Sequence, residues 1–224
     1  MKISVIIPVQ NEAKNIGRLL HELQNCRDRG HELIVVDGGS TDETVFIARP
    51  WVDNLLETGA GRATQMNAGA GKANGDILWF LHADSQLPEN ADELIVNALT
   101  SGASTWGRFD VRLSGRNPSL RLVETMMNLR SRLTGIATGD QAIFISKDLF
   151  EKAGGFPDQC LMEDIEISKK LKKYQSPVSL RETLMTSSRR WEENGILKTI
   201  LLMWTLRAAY FFGVPVDKLC LRYG

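Results

Sequence analysis

The sequence predicts an α/β fold: a Rossmann-type, mostly parallel sheet flanked by helices, followed by an apolar C-terminal helix. Three features carry that expectation. Short apolar runs rich in β-branched residues alternate, before Ser101, with segments of helical periodicity. One such run, LIVV at residues 33–36, is wholly apolar, as in a parallel strand buried on both faces. Near the C-terminus, residues 195–212 form a stretch of helical length that is apolar nearly all round.

Along the chain, residues 2–7 form the first strand, and Asn11 is placed to cap a helix carrying Ile16, Leu19, Leu20 and Leu23 at helical spacing. Residues 33–36 are the second strand and 41–48 the second helix. Residues 54–57 make a weak third strand, with a helix over 63–70 behind it. DILWFL at 76–81 is a strong fourth strand, and Pro88 suits the first turn of a helix reaching Leu99. Repeated strand–helix units imply right-handed crossovers and parallel pairing. After Ser101 the rhythm changes. Residues 106–113 alternate apolar and polar, the pattern of an antiparallel, half-exposed strand. A helix over 118–133, a strand over 142–146, a short helix over 147–153 and a turn at 154–157 follow. A helix over 162–172 and two short strands near 178–180 and 184–187 complete the pattern. Residues 1–190 thus read as one domain and 191–224 as a helical extension.

A hydrophobic content of 43% and a charged content of 24% exclude disordered and collagen-like chains. The formal net charge is +0, and the basic residues are dispersed apart from Lys169, Lys170, Lys172 and Lys173 on one helix face. That balance argues against a nucleic-acid partner, which needs clustered positive charge. Cys26, Cys160 and Cys220 are widely spaced and form no CxxC, so reduced thiols in a cytoplasmic protein are expected. The first apolar run is too short for a leader and lacks a small-residue cleavage site; it reads as a strand.

In an open α/β sheet, ligands bind at the carboxyl ends of the strands. Here those ends carry Pro8, Asn11 and Glu12 on the first strand, Asp37 with Gly38, Gly39, Ser40 and Thr41 on the second, and His82, Ala83 and Asp84 on the fourth. Carboxylates beside glycines and hydroxyls suit a hydroxyl- and NH-rich ligand such as a nucleoside. No His/Cys cluster suits zinc, whereas the oxygen ligand Asp84 suits a hard Mg²⁺ or Mn²⁺ that mostly coordinates phosphate and water. Each acid alone is equally a helix cap; three strand ends in register favour a site.

Four segments together, SVIIPVQNEAKNI, ELIVVDGGSTDET, GRATQMNAGAGKANGDILWFLHADS and GDQAIFISKDLFEKAGGFP with the later MEDIEIS, resemble family 2 of the nucleotide-sugar glycosyltransferases, which have the GT-A fold. The resemblance covers residues 1–190. It implies inverting transfer of a sugar from a nucleoside diphosphate sugar to an acceptor hydroxyl. By the same resemblance, Pro8, Asn11, Glu12 and Asp37 hold the base and ribose. Asp84, closing the family's DxD motif through Ala83, binds Mn²⁺ or Mg²⁺. His82 replaces the first aspartate; it touches ribose or diphosphate, or is a core histidine bonded to backbone. Glu163-Asp164 resembles the ED motif, with Asp164 as general base, a role worth ~10²–10⁴-fold; the alternative is two acids in a helix's first turn. Arg62 and Asn67 reach the diphosphate or merely begin a helix. Gly139, Asp140 and Gln141 correspond to the acceptor-side loop. Arg189, Arg190 and Trp191 form a basic, aromatic lid over the diphosphate or a solvated turn. HADS, GDQ and the compact C-terminus resemble a small bacterial subgroup of transferases associated with radical-enzyme or arsenosugar gene clusters.

The apolar helix at 195–212 is expected to pack on the domain or across a homodimer, or else to lie on a membrane surface, which would imply a lipid-linked acceptor at the inner face of the membrane. Lys198 and Arg207 interrupt the roughly 20 apolar residues a span needs. They also lie on opposite sides, unlike the single charged face of an interfacial helix. Two rival functions remain. A sugar-phosphate nucleotidyltransferase would carry a Gly-rich, basic loop after the first strand, where this chain has PVQNEAKN. An inactive nucleotide-sugar-binding module would not need the Glu163-Asp164 pair.

Overall fold

The computed structural model describes residues 1–223, apart from the side chains of Arg190 and Tyr223. The first half runs β1 (Ile3–Val9), α1 (Ala13–Asp28), β2 (Glu32–Asp37), α2 (Thr44–Ala48), β3 (Asn54–Glu57), α3 (Arg62–Lys72), β4 (Ile77–Phe80) and α4 (Ala91–Thr100). The second half runs β5 (Trp106–Leu113), α5 (Pro118–Thr134), β6 (Phe144–Ser146), α6 (Lys147–Lys152), α7 (Glu163–Lys172) and β7 (Val178–Thr186). Three helices close the chain: α8 (Arg189–Asn194), α9 (Ile196–Phe211) and α10 (Val216–Tyr223).

The strands form one sheet in the order β3-β2-β1-β4-β6-β5-β7. Pairing is parallel except that β6 runs against both β4 and β5. Period-two alternation divides the sheet's side chains between two apolar layers. Ile3, Val5, Ile7, Leu33, Val35 and Trp79 pack with Leu19, Leu20 and Leu23 of α1 and Ile95 of α4. Ile6, Ile34, Val36, Leu78 and Phe80 pack on the other side with Met66 of α3, Phe150 of α6 and Leu171 of α7. Gly69 lets α3 approach that second face: a Cβ there would sit 2.5 Å from Ile6 Cγ2.

Several expectations are corrected. Asn11 does not cap α1. It adopts a left-handed φ of 56°, and its amide oxygen accepts from Thr41 N at 2.8 Å. The first turn of α1 is closed instead across the sheet edge, by Glu12 N donating to Thr44 Oγ1 and Ala13 N to Asp42. Pro88 precedes α4 rather than opening it, because Gln86 is held extended by two backbone bonds to Met185. Strand β5 is largely buried, not half-exposed, since α5 covers it: Arg108 is fully enclosed beside Asp110, and Asn128 bonds both backbone groups of Val111. The two short strands near 180 are one, β7, with an irregular register opposite 108–110.

Two cysteines are not reduced thiols. Folding of α10 onto the segment before α7 brings Cys160 and Cys220 together, Cα atoms 6.3 Å apart, and they form a disulfide. Cys26 is free and buried; burial, then the nearby Asp92 carboxylate, pushes its thiol up to about 12. Helix α9 is apolar but not enclosed. Only Thr199 and Leu206 are fully buried, whereas Leu197, Leu201, Trp204 and Phe211 face outward. Among the described residues no helix is long and apolar enough to cross a membrane.

Candidate active site

Parallel pairing aligns the carboxyl ends of β1, β2 and β4, with Val9 opposite Asp37 and Ile6 opposite Phe80. Chain leaving these ends meets the turn at Gly139–Gln141 and the N-terminus of α7. A cleft forms there, lined by Pro8, Arg62, Met66, Phe80, His82, Gly139, Phe156, Glu163 and Asp164. Two non-glycine residues adjoining its lining, Ala142 and Met162, hold positive φ angles. Strain of this kind persists where surrounding structure over-determines the backbone, and it clusters at functional sites.

Asp164 is held by two backbone donors: Gly139 N reaches its Oδ2 at 3.0 Å and Ile165 N its Oδ1 at 2.7 Å. Glu163 lies deeper, 4% exposed, with Arg62 Nη1 at 3.4 Å. Burial, and then the charge of adjacent Asp164, hold the Glu163 carboxyl above the usual range, while Arg62 opposes them. Across the cleft, His82 Nδ1 lies 3.5 Å from Asp140 Oδ1. Glycine at 139 allows His82 to approach closely, because a Cβ there would sit 2.8 Å from His82 Nε2. His82 is therefore a cleft residue, not a core histidine bonded to backbone. Desolvation opposes ionisation of Asp140, but His82, Arg62 and Arg207 outweigh it and hold the carboxyl below its ordinary value.

The structure thus brings together Pro8, Arg62, His82, Gly139, Asp140, Glu163 and Asp164. Other expected ligand residues are engaged elsewhere. Asp37 is buried and its carboxylate closes its own turn, accepting from Gly39 N and Ser40 N at 2.9 Å each. Glu12 accepts from Asn15. Asn67 pairs through both amide atoms with the backbone of Phe156, so it fastens the loop instead of facing a ligand. Gln141 is wholly buried in a capping box with Thr138. Ala83 packs into the sheet core. Trp191 packs with Leu113, Leu120 and Val123 and is no free stacking face; residues 189–194 are helical, not a turn. The side chain of Arg190 lies outside the described residues.

Asp84 is half-buried just beyond β4, and its carboxylate makes no hydrogen bond or ion pair among the described residues; only its carbonyl is engaged, by Arg18. No group of three or more His, Cys, Asp or Glu side chains among the described residues could cage a metal. One uncommitted carboxylate does fit a hard divalent cation that takes its remaining oxygens from a diphosphate and water. Gln65 is a positioning residue that the motifs did not single out. Its Nε2 donates to Val9 O and Val36 O at 2.8 Å each, pinning the ends of β1 and β2 against Gly38. A lone amide among Ala63, Met66 and Ala70 on the inner face of α3 is the signal that marks it.

Residues 4–152 match the profile of Glycosyl transferase family 2. A 100-residue segment, 41% of this chain, is 43% identical to a PGL/p-HBAD biosynthesis glycosyltransferase of Mycobacterium bovis, covering 38% of that protein. Over 156 residues, 62% of this chain, identity is 30% to an undecaprenyl-phosphate 4-deoxy-4-formamido-L-arabinose transferase of Photorhabdus laumondii, covering 46% of it. The aligned part is less than half the length of either relative. Among solved structures, glucosyl-3-phosphoglycerate synthase from Mycobacterium tuberculosis, in complex with Mn²⁺, UDP and phosphoglyceric acid, superposes with a TM-score of 0.63. That match, at 18% identity, covers 96% of this chain and 79% of the other, and it is a likeness of fold. With well over half of its length matching the family profile, the chain belongs to glycosyltransferase family 2.

Proposed function

We propose that this protein transfers a sugar from a nucleoside diphosphate sugar to an acceptor hydroxyl with inversion, Asp164 serving as general base. The observation that carries the reading is the setting of Asp164: a carboxylate oriented by Gly139 N and Ile165 N on the wall of a cleft at the carboxyl edge of the sheet. In the reaction the acceptor oxygen bonds to the anomeric carbon as the bond to the diphosphate breaks on the opposite face. The acceptor proton passes to a carboxylate oxygen of Asp164. Glu163 is less accessible to an acceptor hydroxyl, since it is buried and faces Arg62. His82 and Asp140 offer a donor and an acceptor to sugar or ribose hydroxyls.

Asp84 would hold Mn²⁺ or Mg²⁺, which when bound offsets charge on the departing diphosphate. Arg62, at the mouth of the same cleft, supplies a fork that matches phosphate oxygens. The test is thermal unfolding with UDP, GDP, ADP and CDP, each with and without Mn²⁺. The expected result is one metal-enhanced stabilisation, about 2.7 kcal/mol at a hundredfold excess over Kd, whose metal dependence disappears in Asp84→Ala. Absence of a response to all four diphosphates would overturn the reading.

A further inference from the structure

Among the described residues fourteen large apolar side chains are exposed, and ten of them lie on two stretches, 122–133 and 197–221. Scattered singly such residues are ordinary; gathered, they mark an interaction surface. On α5 they are Leu122, Met126, Leu129 and Leu133, between 43% and 78% exposed. On α9 they are Leu197, Leu201, Trp204 and Phe211, between 57% and 81% exposed. Steps of three and four residues align each set as one outward stripe.

The two stripes are neighbours. Ile196 and Ile200 of α9 pack on Leu120 and Val123 of α5, and the starts of both helices line one open groove through Asn117, Ser119, Gly195 and Leu197. The inner faces of the same helices back the second-half wall of the cleft. Asn128 of α5 accepts from Gln141, Leu206 of α9 packs against Met162 and Ile165, and Tyr210 donates to Glu166. Charge is concentrated on this layer too: residues 116–134 and 189–222 hold ten Lys and Arg against four acids, in a chain of formal net charge +0. Arg116, Lys198, Lys218 and Arg222 are exposed, and their side chains make no hydrogen bond or ion pair among the described residues. We propose that this layer docks on an anionic lipid surface, with both apolar stripes in the headgroup–acyl boundary and these four cations on the headgroups.

Anionic lipid matches both features at once: its acyl boundary takes the apolar stripes, and its surface potential attracts nearby Lys and Arg. A second copy of the chain would match only the first, because an isologous contact sets this positive layer against itself. Lys198 and Arg207, on opposite sides of α9, count against an interfacial helix when its sequence is read alone. In the structure they stand on the two borders of the stripe, about a quarter-turn from its centre, so the face between them is uninterrupted. Helix α9 spans 16 residues, short of the roughly 20 that a crossing needs, and the contact is one of lying along the surface.

The test is flotation of the whole chain with vesicles of phosphatidylcholine, alone or mixed with phosphatidylglycerol, with neither nucleotide nor metal. The protein should float with the mixed vesicles, bind the neutral ones roughly tenfold or more weakly, and release as salt is added. Leu201→Ser combined with Phe211→Ser should weaken binding to mixed vesicles roughly tenfold or more, and so should Lys198→Gln combined with Lys218→Gln. Phe46→Ser, on α2 outside the patch and 77% exposed, should leave binding unchanged. All five positions are exposed, so every variant should melt with the wild type, which separates lost docking from lost folding. Sedimentation without vesicles is the second arm, and the protein should run as a monomer. No flotation with mixed vesicles, equal binding to neutral and mixed vesicles, or a loss in Phe46→Ser equal to that of the patch variants would overturn the proposal. So would a dimer that Leu201→Ser combined with Phe211→Ser dissociates. The readout involves neither donor nor acceptor, so it stands or falls apart from the transfer reading.

Discussion

The two halves of this molecule build their contributions to the cleft by different means. In the first, β1, β2 and β4 are buried on both faces, and short-range bonds such as those from Gly39 N and Ser40 N to Asp37 shape the loops at their ends. In the second, the site groups come from separate elements that meet only through packing: Asp164 from α7 against Gly139, Asp140 against His82, and Arg207 beside the end of α7. The shape of the cleft's first-half wall is therefore tied to the sheet's own stability. The second-half wall hangs on a few long-range contacts. Substitutions in the first half should register mainly in stability, and those in the second mainly in turnover.

The sharpest division is at Asp164. Asp164→Asn should lower kcat by ~10²–10⁴-fold and leave nucleoside diphosphate binding intact by calorimetry; full turnover in that variant would erase the contrast. Next, Trp79→Ala, in the fully buried sheet core, should cost about 3–5 kcal/mol in urea unfolding. Trp204→Ala, 57% exposed on α9, should stay within about 0.5 kcal/mol. Similar losses at both positions would mean that the outward face of α9 is covered in solution. Gln65→Leu strips two strand-end carbonyls of a donor and should cost about 1–3 kcal/mol, with weaker diphosphate binding because the Gly38 turn loosens.

The smallest effect concerns pH. His31 Nδ1 accepts from Ile3 N at 3.1 Å, and burial holds the imidazole below its ordinary value against the opposing pull of Asp92. With the folded value lowered, the unfolded chain binds the proton more readily. This contribution is complete above about pH 6.5 and is lost as pH falls through the folded value. Asp92, also held low, where Arg29 outweighs burial, adds a loss of the same sign in more acid solution. His31→Gln should flatten the melting-temperature profile between about pH 7 and about pH 5; an unchanged slope would remove His31 from the account.

Much of the first half was legible because strands buried on both faces leave an unmistakable apolar run and because glycine-rich strand ends announce their turns. Asp37, His82 and Asp84 were located at strand ends for that reason, whereas the Glu163–Asp164 pair stood out only through the resemblance to the ED motif. What the motifs could not convey was the direction in which a polar side chain finds its partner. Asn67, Gln141 and Trp191 have the chemistry of ligand residues, yet each has a closer use: Asn67 on the Phe156 backbone, Gln141 in its capping box, Trp191 against Leu113 and Leu120. Arg108 read as an exposed charge until α5 covered it. Arg207 looked only like an interruption of an apolar helix.

By itself the sequence determined the α/β class, the parallel order of the early elements and the strand ends that border the cleft, because these depend on local periodicity and on turns that only certain residues allow. Tertiary structure alone decided that Cys160 meets Cys220, that α9 turns an apolar face outward, and that Asp164 meets the backbone of Gly139. Those outcomes depend on which distant surfaces pack together, and residues 60 positions apart, Cys160 and Cys220, meet only after the chain has closed.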